Sequence, residues 1–205
     1  MTRRRFSRDD VEIVQSRRLF DGFFAFDRLH LRHRRFGGGW TRPLERLLLR
    51  IPKAVVVLPY DPMTDRVVLI EQFRSGALDH PGGPWLVEAV AGLKDRDEDD
   101  ETTARREVME EAGLHVEALV PCGAYVPSPG AVTERAVCFC ARVDAARAGG
   151  VHGLEGEGED IRSLVMPADE AFTLVESGEI VAVNAIVTLR WLERHREELR
   201  ERWRV

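Results

Sequence analysis

The sequence predicts a mixed α/β or α+β fold, in which a β-sheet packs against helices. Short runs rich in Val and Ile alternate along the 205-residue chain with segments of helix-forming residues. Hydrophobic residues make up 44% of the chain and charged residues 32%, which is typical of a globular protein with a sizeable core.

The first half of the chain predicts mainly strands. Residues 23–32 alternate in places between apolar and polar side chains, as strands do, and the three glycines at 37–39 interrupt the pattern. Val- and Ile-rich strands are predicted at 54–58 and 66–72, joined by a turn at 61–65. Residues 85–91 are a further strand candidate, which ends at Gly92.

The second half predicts three helices and two more strands. A helix is predicted at 102–112, after an acidic stretch, and Gly113 is a good stop signal. The remaining predicted elements are strands at 116–124 and 136–143, a Gly- and Glu-rich loop at 151–160, and helices at 168–177 and 184–202.

Charge and cysteine usage exclude several classes of protein. The net charge of −5 argues against generic nucleic-acid binding. The longest apolar runs are far short of the ~20 residues that cross a bilayer, and no signal-peptide core follows the basic start, so we expect a cytoplasmic protein without a membrane partner. Cys122, Cys138 and Cys140 make no disulfide framework, and we expect the last two to be small buried residues.

Three glutamates gather on one side of the predicted helix at 102–112. Glu107, Glu110 and Glu111 share an arc of roughly 100°. Like charges at these spacings repel, and Arg106 can pair with Glu110 one turn away. Clustered carboxylates suit a hard cation such as Mg²⁺. A bound cation would in turn allow an anionic diphosphate to bind beside the glutamates. The alternative is a solvated acidic helix face.

The segment from Gly92 to Leu114 matches every defined position of the Nudix box. Those positions are Gly92, Glu98, Arg106, Glu107, Glu110, Glu111 and Gly113, together with the aliphatic Val108 and Leu114. The chain therefore strongly resembles a Nudix hydrolase. The resemblance implies a mixed β-sheet sandwiched between helices at 51–205, preceded by an N-terminal β segment at 1–50 that swaps across a homodimer.

Within that family, residues 20–203 are similar to the bacterial ADP-ribose pyrophosphatases. The similarity rests on the stretches 22–24, 32–34, 58–62, 69–72, 86–92, 127–130, 133–135 and 152–162, and Pro129 is a feature of the ADP-ribose subgroup. It implies hydrolysis of ADP-ribose to AMP and ribose 5-phosphate with Mg²⁺ or Mn²⁺. The alternatives are a hydrolase of another nucleoside diphosphate sugar, such as ADP-glucose or GDP-mannose, and a non-catalytic sensor of ADP-ribose-like ligands.

The resemblance also implies the catalytic and metal-binding residues. The implied metal ligands are the Ala91 carbonyl, Glu107, Glu111 and Glu159, with Glu110 as a ligand or a supporting residue. Glu98 would stabilise the box. Glu157 would be the general base, because a glutamate is ionised at neutral pH and can accept a proton from attacking water. Glu157 and Glu159 could exchange these roles, and residues 155–160 could instead form a solvated acidic turn.

Seven residues match positions that contact substrate in the family. They are Phe23, Phe24, Arg46, Arg74, Leu93, Ser128 and Glu134. The arginines would bind the diphosphate, the phenylalanines would pack against the adenine, partly from the partner subunit, and Ser128 and Glu134 would lie near the ribose. Solvated arginines and core phenylalanines are the alternatives. The stretch 41–51, with Leu47 and Ile51, lacks some charged residues that the family places there.

Overall fold

A computed structural model describes residues 5–94 and 97–203, apart from the side chain of Glu157. The chain forms two compact units. The first contains the described residues up to Pro52 together with the segment Ser128–Glu134, and the second contains Lys53–Pro127 and the described residues from Arg135 onward.

The first unit is built on a three-stranded antiparallel sheet, in the order β1-β2-β3. Its strands are β1 (Val11–Asp21), β2 (Ala25–His33) and β3 (Leu44–Arg50). The predicted strand at 23–32 corresponds to β2. The sequence did not predict β1 and β3, since most of their side chains are exposed and show no regular alternation of burial. The segment at 128–134 runs beside β3, where Leu49 N donates to Ala131 O at 2.8 Å and Thr133 N donates to Leu49 O at 3.0 Å.

The described residues of the second unit form eight strands in one mixed sheet. They are β4 (Ala54–Asp61), β5 (Arg66–Phe73), β6 (Trp85–Glu88), β7 (Val90–Leu93), β8 (Ala118–Tyr125), β9 (Ala136–Arg142), β10 (Val151–His152) and β11 (Ile161–Pro167). The main order is β10-β11-β5-β4-β9-β8. The sheet is mixed because β4 pairs with β9 in parallel, whereas the other pairs are antiparallel.

The central strands β4 and β5 separate at one end, and two short strands fill the space between them. β4 pairs with β5 only at Tyr60 and Asp61. Further along, β6 pairs with β5 and β7 pairs with β4. The prediction of a single strand at 85–91 is therefore wrong. The segment forms two strands, which are separated at Ala89, where the chain passes from pairing with β5 to pairing with β4.

Helices cover both faces of this sheet. They are α1 (Asp100–Ala112), α2 (Ala168–Ser177) and α3 (Val183–Trp203). Ala104, Val108 and Ala112 of α1 pack with one set of buried strand residues. Residues of α2 and α3, such as Phe172 and Leu189, pack with the opposite set. The predicted mixed sheet between helices is confirmed.

Capping residues explain where α1 begins and ends. The helix starts two residues before its predicted start, because the Asp99 carboxylate accepts a hydrogen bond from Thr102 N at 2.7 Å and caps the first turn. It ends at Ala112, as predicted, because Gly113 follows with a φ of 67°, a conformation that favours glycine. Capping residues thus set both ends of α1, the helix that carries the Nudix box glutamates (the box helix).

The three cysteines are free and buried, as was expected for Cys138 and Cys140. Burial raises the pKa of Cys138 to about 12, so its thiol stays protonated and unreactive. No helix within residues 5–94 and 97–203 has the length and apolar character needed to span a membrane.

Candidate active site

Helix α1 directs two glutamates toward the sheet. Glu107 and Glu111 are 7% and 3% exposed, and they lie one turn apart on the same buried side as Ala104 and Val108. A buried carboxylate requires hydrogen bonds or a cation, because water no longer stabilises its charge.

The main chain of β7 meets both carboxylates. Ala91 N donates a hydrogen bond to Glu111 Oε2 at 3.0 Å. A Cβ atom on the next residue, Gly92, would overlap the Glu107 carboxylate. Glycine at position 92 therefore allows β7 and α1 to approach closely enough to bring Ala91, Glu107 and Glu111 together.

One arginine holds the acidic side chains of the box. Arg106 Nη1 lies 2.8 Å from Glu107 Oε1 and 2.8 Å from Glu110 Oε2, so the predicted pair with Glu110 is present. Arg106 also donates from Nε and Nη2 to Glu98 Oε1, at 3.1 and 2.9 Å. Glu98 accepts a further hydrogen bond from Thr103 Oγ1 at 3.0 Å. Glu98 thus holds the Arg106 guanidinium in place beside Glu107 and Glu110.

Burial is the main cause that raises the pKa values of Glu107 and Glu111. Burial raises the pKa of Glu107 to about 7, and the charges of Glu110 and Glu159 add to this effect against the opposing charge of Arg106. Burial also raises the pKa of Glu111 well above its usual value, reinforced by Glu107 and Glu159 and opposed by the Ala91 hydrogen bond and by Arg74. The fold therefore brings Glu159 within electrostatic reach of both helix glutamates, although it is distant in sequence.

The loop that carries Glu159 is attached to the end of α1. Gly153 N donates to Glu110 O at 3.2 Å, and the Glu159 carboxylate accepts from Leu154 N at 3.0 Å. The backbone of Glu155–Glu157 forms one turn of 3-10 helix. The side chain of Glu157, the predicted base, lies outside the described part of the structure.

The donor set fits a hard divalent cation. In their described conformation, no three or more His, Cys, Asp or Glu side chains of the described residues are arranged to hold a metal ion. However, Glu107, Glu110, Glu111 and Glu159 supply only oxygen donors. Burial, reinforced by the charges of neighbouring glutamates, raises the pKa values of Glu107 and Glu111 in spite of Arg106 and Arg74. A cation bound among them would relieve the repulsion between these charges.

Two predicted substrate residues lie in the second unit, in the region where β4 and β5 separate. Leu93 ends β7 and pairs with Ala54 of β4. Arg74 follows β5, and its guanidinium donates to Glu88 from Nε at 3.1 Å and from Nη2 at 2.7 Å. The sequence did not predict a role for Glu88. Its signal was a single charged residue within an otherwise apolar run, Leu-Val-Glu-Ala-Val.

The other predicted substrate residues belong to the first unit. The Phe23 and Phe24 rings contact each other with centroids 4.7 Å apart, and Phe23 is 85% exposed, so it is not a core residue of this unit. Arg46 lies on β3 and donates to Glu45 O at 2.8 Å. Ser128 and Glu134 begin and end the segment beside β3.

Comparisons with known proteins identify related chains. Residues 50–192 match the NUDIX domain family. The chain is 41% identical over 198 residues to the ADP-ribose pyrophosphatase of Escherichia coli (strain K12), covering 97% of this chain and 95% of that protein. It is 39% identical over 202 residues to the ADP-ribose pyrophosphatase of Haemophilus influenzae, covering 97% and 93%.

More distant relatives have other substrates in their names. The chain is 33% identical over 186 residues to the GDP-mannose pyrophosphatase of an Enterobacter species, covering 89% of this chain and 95% of that protein. A crystal structure of an ADP compounds hydrolase matches with a TM-score of 0.70 at 20% identity, covering 96% and 97% of the two chains, and shows the same fold. The resemblance found in the sequence is confirmed.

Proposed function

The chain belongs to the NUDIX domain family, and from this premise we propose that it hydrolyses the diphosphate bond of ADP-ribose to give AMP and ribose 5-phosphate. The observation that carries the proposal is the burial of Glu107 and Glu111 against the main chain of β7, with Glu159 within electrostatic reach of both. The near full-length similarity to two bacterial ADP-ribose pyrophosphatases supports the choice of substrate.

The residues of the cluster would hold Mg²⁺ or Mn²⁺. The proposed ligands are the Ala91 carbonyl, Glu107, Glu111 and Glu159, with Glu110 as a further ligand or a support through Arg106. When bound, the cation neutralises charge on the diphosphate and acidifies water. Glu157 would accept the proton of the attacking water, and Glu159 remains the alternative for that role.

The remaining predicted residues would bind the two ends of the substrate. Arg74 and Arg46 would donate to the diphosphate oxygens, since an arginine fork matches phosphate geometry. We assign Phe23 and Phe24 to the adenine, Ser128 and Glu134 to the ribose, and the backbone of Leu93 to a substrate contact.

A direct assay tests this function. We expect purified protein with Mg²⁺ to release AMP from ADP-ribose, and a panel with ADP-glucose and GDP-mannose to rank ADP-ribose first by kcat/KM. The relatives named for GDP-mannose make that sugar nucleotide the second candidate. A higher kcat/KM for another nucleoside diphosphate sugar would replace the proposed substrate.

The Glu111→Gln variant separates an enzyme from a sensor. We expect kcat to fall by roughly 10²–10³-fold, because the variant removes a proposed metal ligand. The matched control is Glu117→Gln, which removes an ion pair with Arg142 elsewhere on the sheet and should leave kcat unchanged. Binding of ADP-ribose without turnover by the wild type would instead support a sensor.

We also propose that the protein is a homodimer that acts in the cytoplasm on a small nucleotide, without a nucleic-acid partner. The first unit exposes several large apolar side chains, namely Ile13, Val14, Leu19, Phe20 and Phe23, and such surfaces mark interaction sites. Buried free cysteines suit a reducing compartment, and the net charge is −5. Sedimentation at the monomer mass would contradict the dimer.

A further inference from the structure

An ion pair beside the carboxylate cluster has a geometry that suggests a role in substrate binding. Arg74 donates to Glu88 from both Nε and Nη2, so that one edge of its guanidinium meets the carboxylate side-on. The Glu88 side chain is only 12% exposed, whereas that of Arg74 is 44% exposed. A mostly buried anion therefore holds a partly exposed cation, and two parallel contacts fix the plane of the guanidinium.

Strand register brings this pair to the same face of the sheet as the helix glutamates. Glu88 on β6 lies directly opposite Ile70 on β5, and Ile70 packs in the cluster that contains residues of α1. Alternation along β5 places Gln72 on this face as well. The Gln72 amide, 6% exposed as a residue, donates from Nε2 to Glu88 Oε2 at 3.3 Å.

The backbone of Arg74 is also held by hydrogen bonds. Arg74 N donates to Pro84 O at 2.7 Å, and Arg74 O accepts from Ala77 N at 2.9 Å. The arginine is thus fixed at its backbone by the loop after β5 and at its guanidinium by Glu88.

Charge completes the arrangement. Burial lowers the pKa of Arg74, but the hydrogen bonds that Arg74 donates to Glu88 and the charges of Glu88, Glu111 and Glu159 outweigh this effect and raise it. The Arg74 guanidinium therefore lies within electrostatic reach of two proposed metal ligands. Among the described residues its hydrogen bonds go to Glu88 from Nε and Nη2, which leaves the Nη1 edge for an incoming anion.

We propose that Glu88 is a positioning residue, which holds Arg74 in the orientation that binds the diphosphate, and that Gln72 fixes Glu88 in turn. The inference rests on the proposed function, because it assumes that a diphosphate occupies this site. An unrestrained arginine loses much rotamer freedom when it binds, and an arginine held in advance loses less. Glu88 should therefore act on substrate affinity and leave the chemical step unchanged.

Steady-state kinetics with ADP-ribose test this inference. We expect Glu88→Gln to raise KM about tenfold with kcat within about twofold of wild type, since a loss of uniform binding raises KM alone. Glu88→Asp keeps the charge on a shorter side chain and should recover part of the loss. In an Arg74→Ala background, Glu88→Gln should change KM little further, because its effect passes through Arg74.

A matched control and a second probe keep the outcomes distinct. Glu117→Gln removes another glutamate–arginine pair and should leave KM unchanged. Calorimetric titration with ADP and Mg²⁺ measures diphosphate affinity without turnover, and Glu88→Gln should weaken it about tenfold, in line with the expected change in KM. If circular dichroism shows that Glu88→Gln does not fold, the KM and ADP affinity of Glu88→Asp are compared with those of wild type instead.

Several results would overturn the inference. An unchanged KM and ADP affinity in Glu88→Gln would do so while leaving the proposed function intact, as would a fall in kcat alone. A wild type that binds ADP more tightly than Glu88→Gln does, but hydrolyses no ADP-ribose, would uphold Glu88 and overturn the function. A wild type that neither binds ADP nor hydrolyses ADP-ribose would overturn both.

Discussion

At the scale of single residues, Glu107 and Glu111 are costly to the fold. Both lie almost fully buried on α1, where burial and neighbouring carboxylates raise their pKa values. Such an arrangement opposes folding and is typical of a functional site, at which stability is given up for activity. Arg106 reduces the repulsion without removing it.

Gly92 provides a test of how closely β7 must approach α1. In Gly92→Ala the new Cβ would displace the Glu107 carboxylate, which is the far end of a flexible side chain. We therefore expect the variant to fold, with its melting temperature within about 5 °C of wild type, and to lose at least about tenfold in kcat.

The control for this variant is Gly37→Ala, because a Cβ at position 37 would meet no atom within 4 Å. It should change neither the melting temperature nor kcat. If Gly92→Ala kept the kcat of wild type, Glu107 would not need its present position.

At the scale of elements, a carboxylate in the β4–β5 turn joins that hairpin to α3. Asp65 accepts hydrogen bonds from Tyr60 Oη at 2.8 Å and from Arg196 Nε at 2.8 Å. Burial alone would raise the pKa of Asp65, but the hydrogen bonds from Arg196 and Tyr60 outweigh it and hold the pKa below its usual value. Asp65 has a φ of 58°, a conformation that Asn also tolerates.

We expect Asp65→Asn to lower the free energy of unfolding by about 1–3 kcal/mol at pH 7, because it leaves Arg196 without its charged partner in the turn. Since the folded-state pKa is lowered, the contribution is present above the unfolded pKa and is lost as the pH falls through the folded one. Urea denaturation at pH 7 and pH 3 should show the difference from wild type shrinking.

The matched control is Glu193→Gln, which removes an exposed pair with Arg190 on α3. It should have almost no effect on stability. An Asp65→Asn variant that behaved like this control would show that the turn and α3 are held by packing alone.

At the scale of the whole molecule, the acidic cluster links stability to pH and to metal. The pKa of Glu107 is about 7 in the folded chain, above its value of 4.5 in model compounds, so the folded state binds more protons between these values. In the presence of a chelator, which keeps the protein free of metal, the free energy of unfolding should therefore decrease as the pH rises from about 5 to about 8. The decrease for this group should be at most about 1.4 kcal/mol per pH unit.

Mg²⁺ should reverse this trend. A cation that binds the ionised carboxylates stabilises the folded chain more at pH 8 than at pH 6. Denaturation curves with EDTA and with Mg²⁺ at both pH values measure the effect, and Glu107→Gln should flatten the pH dependence. Equal stabilisation by Mg²⁺ at both pH values would contradict a metal site at Glu107.

Elements with a strong local pattern could be predicted from the sequence. The box helix and its stop at Gly113 follow from helix-forming residues and a glycine, and the buried strands β4 and β5 follow from runs of Val and Ile. The exposed strands β1 and β3 gave no such signal, because neither face of them is consistently apolar. The interruption between β6 and β7 at Ala89 was not predicted, because it depends on tertiary pairing: β6 pairs with β5, whereas β7 pairs with β4.

By itself the sequence determined the mixed α/β class, the Nudix box and the acidic face of its helix, because these depend on residue types at short, fixed spacings. Only the tertiary structure brought Glu159 within electrostatic reach of Glu107 and paired Glu88 with Arg74. Those contacts join residues far apart in the chain, and they arise from strand register and from the packing of α1 on the sheet, which no local pattern encodes.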